Sequence, residues 1–267
     1  MIFFVDDLHL APDSLVRTRK ALLEFINHGM AENDQVAITS SSGQIGFLQQ
    51  FSDDKVALRS AVARFNYRAN TKPDIDNPPM SEYIALKIRE GDEQAITYYV
   101  QELQKQNCYR AGNSVICTMS PQAMRIMVRE RAQEMVTMAA PDTDNTLILL
   151  EGMMRTAGQL PGRKLVFMIS DGFYLSDRKT GARDRIKKIT DAAGRAGVVI
   201  YTLDARGILA ESLDVTNSRP IDGEGLIASS SLGEITASQD GLNALATAAA
   251  LDDEEETGQR PDQGSRR

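Results

Sequence analysis

No apolar run in the 267 residues approaches the roughly 20 needed to cross a bilayer, so membrane insertion is not expected. An excess of positive charge is also missing. With 37 acidic residues against 30 basic ones the formal net charge is −7, and the chain as a whole has no electrostatic footprint for nucleic acid or an anionic membrane. Loops that would announce an enzyme are absent too: there is no G-x-S-x-G elbow, no Walker A loop and no G-x-G-x-x-G. There are only two histidines, His9 and His28, with no metal-ligand spacing between them, and His9 in "DLHL" reads as packing or loop structure. There are only two cysteines, which cannot fix a redox compartment. The first residues read as a strand and leave no room for a leader, so the chain as written is expected to be soluble and untargeted.

What is present is enough for a sizeable core: 42% of residues are apolar, and the length suits one large domain or one domain carrying an insertion. "IFFV" at 2–5 is a continuous apolar run, as in a strand covered on both faces. Pro12 then opens a helical pattern through Leu15, Leu22, Leu23 and Ile26. "DQVAITSS" (34–41) and "QIGFLQQF" (44–51) flank Ser42-Gly43 and predict an antiparallel hairpin. "DDKVALRSAVARF" (53–65) begins with acidic residues suited to a helix N-terminus.

From 67 to 140 the character changes. "KPDIDNPP" precedes two helix-forming stretches, 81–106 and 121–138, with Cys108 and Cys117 between them around a Gly-Asn turn. The two thiols could close a small hairpin or stay reduced and unrelated. This segment reads as a helical insertion. Alternation then resumes with "NTLILLEGMMRTAGQL" as helix, "KLVFMIS" (164–170) as buried strand, "DRIKKITDAAGRAG" as helix and "VVIYTLDA" (198–205) as strand. The expected fold is α/β: a doubly wound, mostly parallel Rossmann-like sheet with one antiparallel edge hairpin and a helical insertion. Residues 206–235 read as loop and 239–250 as a last helix. The domain spans 1–250, and the acidic, then polar tail at 251–267 has no apolar period and is expected to be disordered. A further strand would normally follow 239–250, so both ends look cut.

In an open α/β sheet the ligand crevice lies beyond the carboxyl ends of the strands, where strand order reverses. Asp6 and Asp7 sit at one such end and Asp171, in "FMISDGF", at another. "PDTDNT" (141–146) reads as a third loop entering its helix beside them, offering Asp142, Thr143, Asp144 and Thr146. Converging carboxylates would repel unless a divalent cation joined them, although each alone reads equally as a cap or turn former. The serines at 40–42 look like turn material, and the methionines like gap fillers between helices.

Taken together, "FFVDDLHLAP", "GFLQQFSDD", "PPMSEYIALKIREGDEQA", "LPGRKLVFMISDGF", "VVIYTLDARG" and "DGLNALA" resemble the von Willebrand factor A domain family. The match is to the branch known mainly from Acidobacteria, in which an acidic pair replaces the usual first motif. The resemblance covers about residues 2–247. It implies a metal-ion-dependent adhesion site that takes a D-x-S-x-S loop, a Thr from a second loop and an Asp from a third. Asp6, Asp7, Leu8, His9 and Leu10 align with the first loop, so leucines stand where two hydroxyls would coordinate. Thr143 or Asp144 aligns with the second and Asp171 with the third. A Mg²⁺ or other divalent ion would therefore fall to Asp6, Asp7, Thr143, Asp144 and Asp171, in a degenerate site. The resemblance also implies a Cys108–Cys117 disulfide and a periplasmic or secreted location, the chain being a fragment of a longer exported protein.

The expected function is a non-enzymatic adhesion or protein–protein interaction module with a protein partner that the sequence does not identify. The alternative is a Mg²⁺-dependent phosphotransfer domain, receiver-like or phosphatase-like, using Asp6 and Asp7. Both forms meet obstacles. A receiver would need its phosphoacceptor much sooner in the chain than Asp171, and a phosphatase of the D-x-D type would need an Asp where Leu8 stands.

Overall fold

The computed structural model describes residues 1–45, 51–67, 78–112, 114–175, 181–207 and 233–246. Its contacts divide these into two compact units. One holds the described residues up to 67, from 142 to 207 and from 238 onward; the other holds 78–141 and 233–237.

The first unit is built on four parallel strands, β1 (Ile2–Val5), β2 (Ala37–Ser40), β5 (Lys164–Ser170) and β6 (Val198–Asp204), in the order β2-β1-β5-β6. Every residue of β1 is buried, as its unbroken apolar run requires. Its side chains alternate between two cores. Phe3 and Val5 join Leu15 and Leu22 of α1 (Pro12–Glu24), Ile26 just beyond its end, and Leu58 and Val62 of α2 (Lys55–Ala63). Ile2 and Phe4 join Leu147 and Leu150 of α5 (Pro121–Ala157), and Ile186 and Ile189 of α6 (Ala182–Ala196). The sheet is thus covered on both faces, in the manner of a Rossmann-like fold. Chain order runs outward from β1 to β2 on one side and from β5 to β6 on the other, so strand order reverses between β1 and β5.

Local signals account for several boundaries. Pro12 occupies the first turn of α1, where its missing N–H costs nothing, and α1 closes in a single π turn, Phe25–Gly29. Asp54 caps α2, accepting from the Val56 amide at 2.7 Å. The anticipated hairpin is present only in part. β2 lies parallel to β1, and one antiparallel bridge joins Val36 to Ser52; residues 46–50 lie outside those described. Also outside them lie the expected 206–235 loop from 208 to 232, the tail at 251–267 and the end of the last helix, which runs 233–246 as α7 rather than starting at 239.

In the second unit the stretch expected as one helix over 81–106 is two. α3 (Glu82–Glu90) stops at Gly91, whose φ of +92° is left-handed, and Asp92 caps α4 (Glu93–Asn107) through the Gln94 and Ala95 amides. Two short strands follow, β3 (Cys108–Ala111) and β4 (Ser114–Cys117), an antiparallel ribbon in which Cys108 and Cys117 are disulfide-bonded, 4.0 Å apart at Cα.

The largest departure is at 141–146, expected as a loop. Here α5 runs straight through Pro141. Proline removes one N–H and leaves the carbonyl four residues back without it, a cost of about 3 kcal/mol in a helix interior. The buried stripe nevertheless continues at helical spacing on both sides, through Met135, Ala139, Thr143, Thr146, Leu150 and Met154. Burial along that stripe, at about 1.5–3 kcal/mol for each large side chain, outweighs the local breaker.

Candidate functional site

The reversal of strand order places Asp6, Asp7, Ser170 and Asp171 at adjoining strand ends, with the 142–146 stretch of α5 alongside. The Asp6 amide extends the ladder to the Ile169 carbonyl at 2.8 Å, and its own carbonyl accepts from the His9 and Leu10 amides. Its side chain is 0% exposed. Thr146 donates its hydroxyl to Oδ1 at 2.8 Å, while Ser170 Oγ and His9 Nδ1 each lie 2.8 Å from Oδ2. Burial alone would push this carboxyl up; the neighbouring His9 and the hydrogen bonds from His9, Ser170 and Thr146 outweigh it and hold Asp6 below the ordinary carboxylate value.

The His9 ring continues outward from this anchor. Its Nε2 lies 3.1 Å from Thr143 Oγ1, and its face tilts against Phe173 with centroids 5.9 Å apart. Carboxylate, imidazole and hydroxyl therefore stand in the connectivity that activates a nucleophile in acyl-transfer enzymes. Thr143 differs from such a nucleophile in being only 9% exposed and set in the interior of α5.

Asp7 turns the other way. Ser41 Oγ and the Ser42 amide donate to Oδ1 at 3.0 and 2.8 Å, and the Ser42 hydroxyl and Gln44 Nε2 donate to Oδ2, the latter at 2.9 Å. Gln44 in turn accepts from the Asn66 amide. Asp7 thus holds the loop after β2 in place. Residues that read as turn material from the sequence are its partners.

Asp171 serves a third element. Its Oδ2 accepts from the Ala11 amide at 2.8 Å, and the Ser14 hydroxyl also hydrogen-bonds it. Ala11 is the N-cap of α1 and has no side chain able to cap, so Asp171 supplies the cap from across the sheet. Burial pushes the Asp171 carboxyl up, against the pull of Ala11, Ser14 and Arg206. Its Oδ1 is buried and makes no hydrogen bond within the described residues. Nearby, Arg206 grips Asp204 through Nε and Nη2 and reaches Ser238 Oγ at 2.9 Å through Nη1. The following glycine, Gly172, has φ +91°, and a Cβ there would stand 2.3 Å from the Ser238 carbonyl oxygen of α7.

Thr143 or Asp144 was expected to supply the second-loop ligand. Thr143 meets His9, and Asp144 is half-buried on α5; the hydroxyl that reaches Asp6 belongs to Thr146. Asp142 is half-buried, and burial raises its carboxyl against the opposing charge of His9. Ser170 was missed from sequence, although its place directly before Asp171 at a strand end is the signal that could have found it.

The divalent ion implied by the family resemblance can be tested against this donor set. An octahedral ion of the Mg²⁺ type needs six oxygens at about 2.0–2.1 Å. Both Asp6 oxygens already accept from the chain, Asp7 is committed to the β2 loop, and Leu10 is buried in the apolar cluster beneath α1. Among the strand-end carboxylates Asp6, Asp7 and Asp171, Asp171 Oδ1 is the oxygen left without a hydrogen bond among the described residues, and Asp144 is carried on α5 rather than on a loop between strands. The residues as folded do not fit the ion.

No protein-family model, curated protein or solved structure matches the chain.

Proposed function

We propose that this chain is a non-enzymatic interaction module, related to the von Willebrand factor A domains by the motifs quoted above and carrying a degenerate form of their metal site. The observation that carries the reading is the enclosure of Asp6: hydrogen-bonding groups of the chain meet both its oxygens, and its side chain is fully buried. A phosphotransfer aspartate must instead offer a free oxygen to a phosphoryl group or its metal ion, which disfavours the alternative built on Asp6 and Asp7. Two features support a protein partner. The β3–β4 ribbon is closed by its disulfide, and it exposes Tyr109 by 59%, Val115 by 64% and Ile116 by 45%, with Tyr109 and Ile116 directly paired across the strands. A disulfide also fits an oxidising, extracytoplasmic location. No described helix is long and apolar enough to cross a membrane.

Incubating the chain with Mg²⁺ and acetyl phosphate or p-nitrophenyl phosphate tests the enzyme alternative. The expected result is neither a phosphoryl adduct by mass spectrometry nor turnover. An adduct or turnover that Asp6→Asn removes would replace the interaction reading. A photo-crosslinker at Ile116 then tests the surface in extracts of the source cells: one saturable adduct, lost on Tyr109→Ser, is expected, and diffuse labelling unaffected by that change would exclude the ribbon.

A further inference from the structure

We infer that the three strand-end carboxylates are separate staples and that His9, Ser170 and Thr146 take the place of a cation as the partners of Asp6. The inference deepens the interaction reading, because it means that the crevice does not bind its partner through a metal bridge. Three observations converge on it.

The first is direction. Adjacent residues leaving an extended strand project to opposite sides, so Asp6 is sent toward β5 and α5 while Asp7 is sent toward the loop after β2. Two carboxylates that would share an ion are instead given different elements. The second is need. A carboxylate with no exposed surface requires compensation whether or not any ligand arrives, and here that compensation is complete without one. For an ion to take Asp6 it would have to reach a carboxylate with no exposed surface, at oxygens that already accept from Thr146, Ser170 and His9. The third is Asp171, whose Oδ2 is engaged by the Ala11 amide at the start of a helix that cannot cap itself. While Oδ2 holds that amide, Asp171 has only Oδ1 to offer an ion, a single ligand where a shared site needs several.

His9 is therefore a positioning residue. Nδ1 fixes Asp6, Nε2 meets Thr143 of α5, and the ring braces Phe173 in the loop after β5, so one imidazole spans the loop after β1, α5 and the loop after β5.

The test is a thermal melt of the full chain in chelator and then in millimolar Mg²⁺, Mn²⁺ or Ca²⁺, for the wild-type chain, Thr146→Val, His9→Asn and Asp171→Asn. A cation binding only the folded state at about 100 times its Kd would shift the folding equilibrium about 100-fold, a rise the melt reads easily. The expected result is the same midpoint in chelator and in each cation, with Thr146→Val lowered. His9→Asn, whose amide can still donate to Asp6, should fall less than His9→Ala. A cation-dependent rise in the wild-type chain that Asp171→Asn abolishes would overturn the inference. If a variant fails to fold, calorimetric titration of the wild-type chain with Mn²⁺ decides the matter: no heat of binding is expected, and saturable binding would overturn it. Saturable metal binding without phosphoryl turnover would refute this inference alone, whereas turnover would refute the interaction reading.

Discussion

Asp6→Asn is the sharpest probe of the strand-end network. The amide can keep its carbonyl oxygen at the Oδ2 position, still accepting from Ser170 and His9, and turn its NH₂ toward Thr146, whose hydroxyl can rotate to accept. What is lost is charge. A hydrogen bond to a charged acceptor contributes about 1.5–3 kcal/mol against about 0.5–1.5 for a neutral one, so three bonds weakened by about 1 kcal/mol each lose roughly 3 kcal/mol. Removing a buried charge returns part of this, since burial opposes the ionised form. Because Asp6 is nonetheless held below its ordinary value, the ionised form is net favoured by folding. The expected destabilisation at neutral pH is about 2 kcal/mol, or roughly 4–8 °C in the midpoint of a unit of this size. Since the folded-state pKa is depressed, the contribution of Asp6 is fully present above the ordinary value of 3.8 and is lost as pH falls through the folded-state value. Calorimetric scans of both chains should show a gap that is constant near neutrality and closes in acid below that value. A variant as stable as the parent at pH 7, or a gap that persists unchanged in acid, would refute the reasoning.

Replacing both Cys108 and Cys117 by Ser frees a loop of sequence separation 9, for which loop entropy gives about 2–3 kcal/mol. Hydrogen exchange should quicken in β3 and β4 and stay unchanged in β1 and β5. Asp171→Ala should lower the unfolding free energy by about 1 kcal/mol through loss of the α1 cap. Asp171→Asn keeps an acceptor for the Ala11 amide and should be the more stable of the two in urea titrations at pH 7. The raised pKa makes ionised Asp171 a cost that grows as pH rises from 3.8 through the folded-state value, so the parent chain should gain on both variants as pH falls, while the difference between Asn and Ala, neither of which titrates, should stay constant. Gly172→Ala places a methyl 2.3 Å from the Ser238 carbonyl oxygen at a left-handed φ; a loss of about 2–4 kcal/mol is expected, with α7 amides exchanging first.

Most of the sheet was legible because its signals are short-range. Four apolar residues in a row, Pro12 at the head of a helical pattern and Asp54 before an apolar period each have one good structural reading. Misreadings arose where tertiary burial overrode a local signal. Pro141 followed by Asp and Thr has the composition of a helix start, yet the stripe from Ala139 to Leu150 keeps α5 intact. At Gly91 the opposite happened: a helical composition hid a break that needs only one left-handed residue and an aspartate beside it. The carboxylates themselves were found, and Thr146 was placed beside them, but the serine partners were not and Thr146 was not singled out. Ser41, Ser42, Thr146 and Ser170 are ordinary hydroxyl residues until the register of β1 between β2 and β5 sets them around Asp6 and Asp7.

That register also explains why two adjacent aspartates can follow a buried strand. Like charges on neighbouring residues would be costly if they shared one environment of low dielectric. They do not share one: Asp6 is bound by donors from β5, α5 and His9, and Asp7 by donors from the loop after β2, so each charge is dispersed onto its own set of hydrogen bonds. A central strand with neighbours on both sides can divide the pair in this way; an edge strand could not. The acidic pair is therefore a consequence of placing β1 where strand order reverses, and the same position that marks a ligand crevice in other open sheets here supplies the fastening of three strands and two helices.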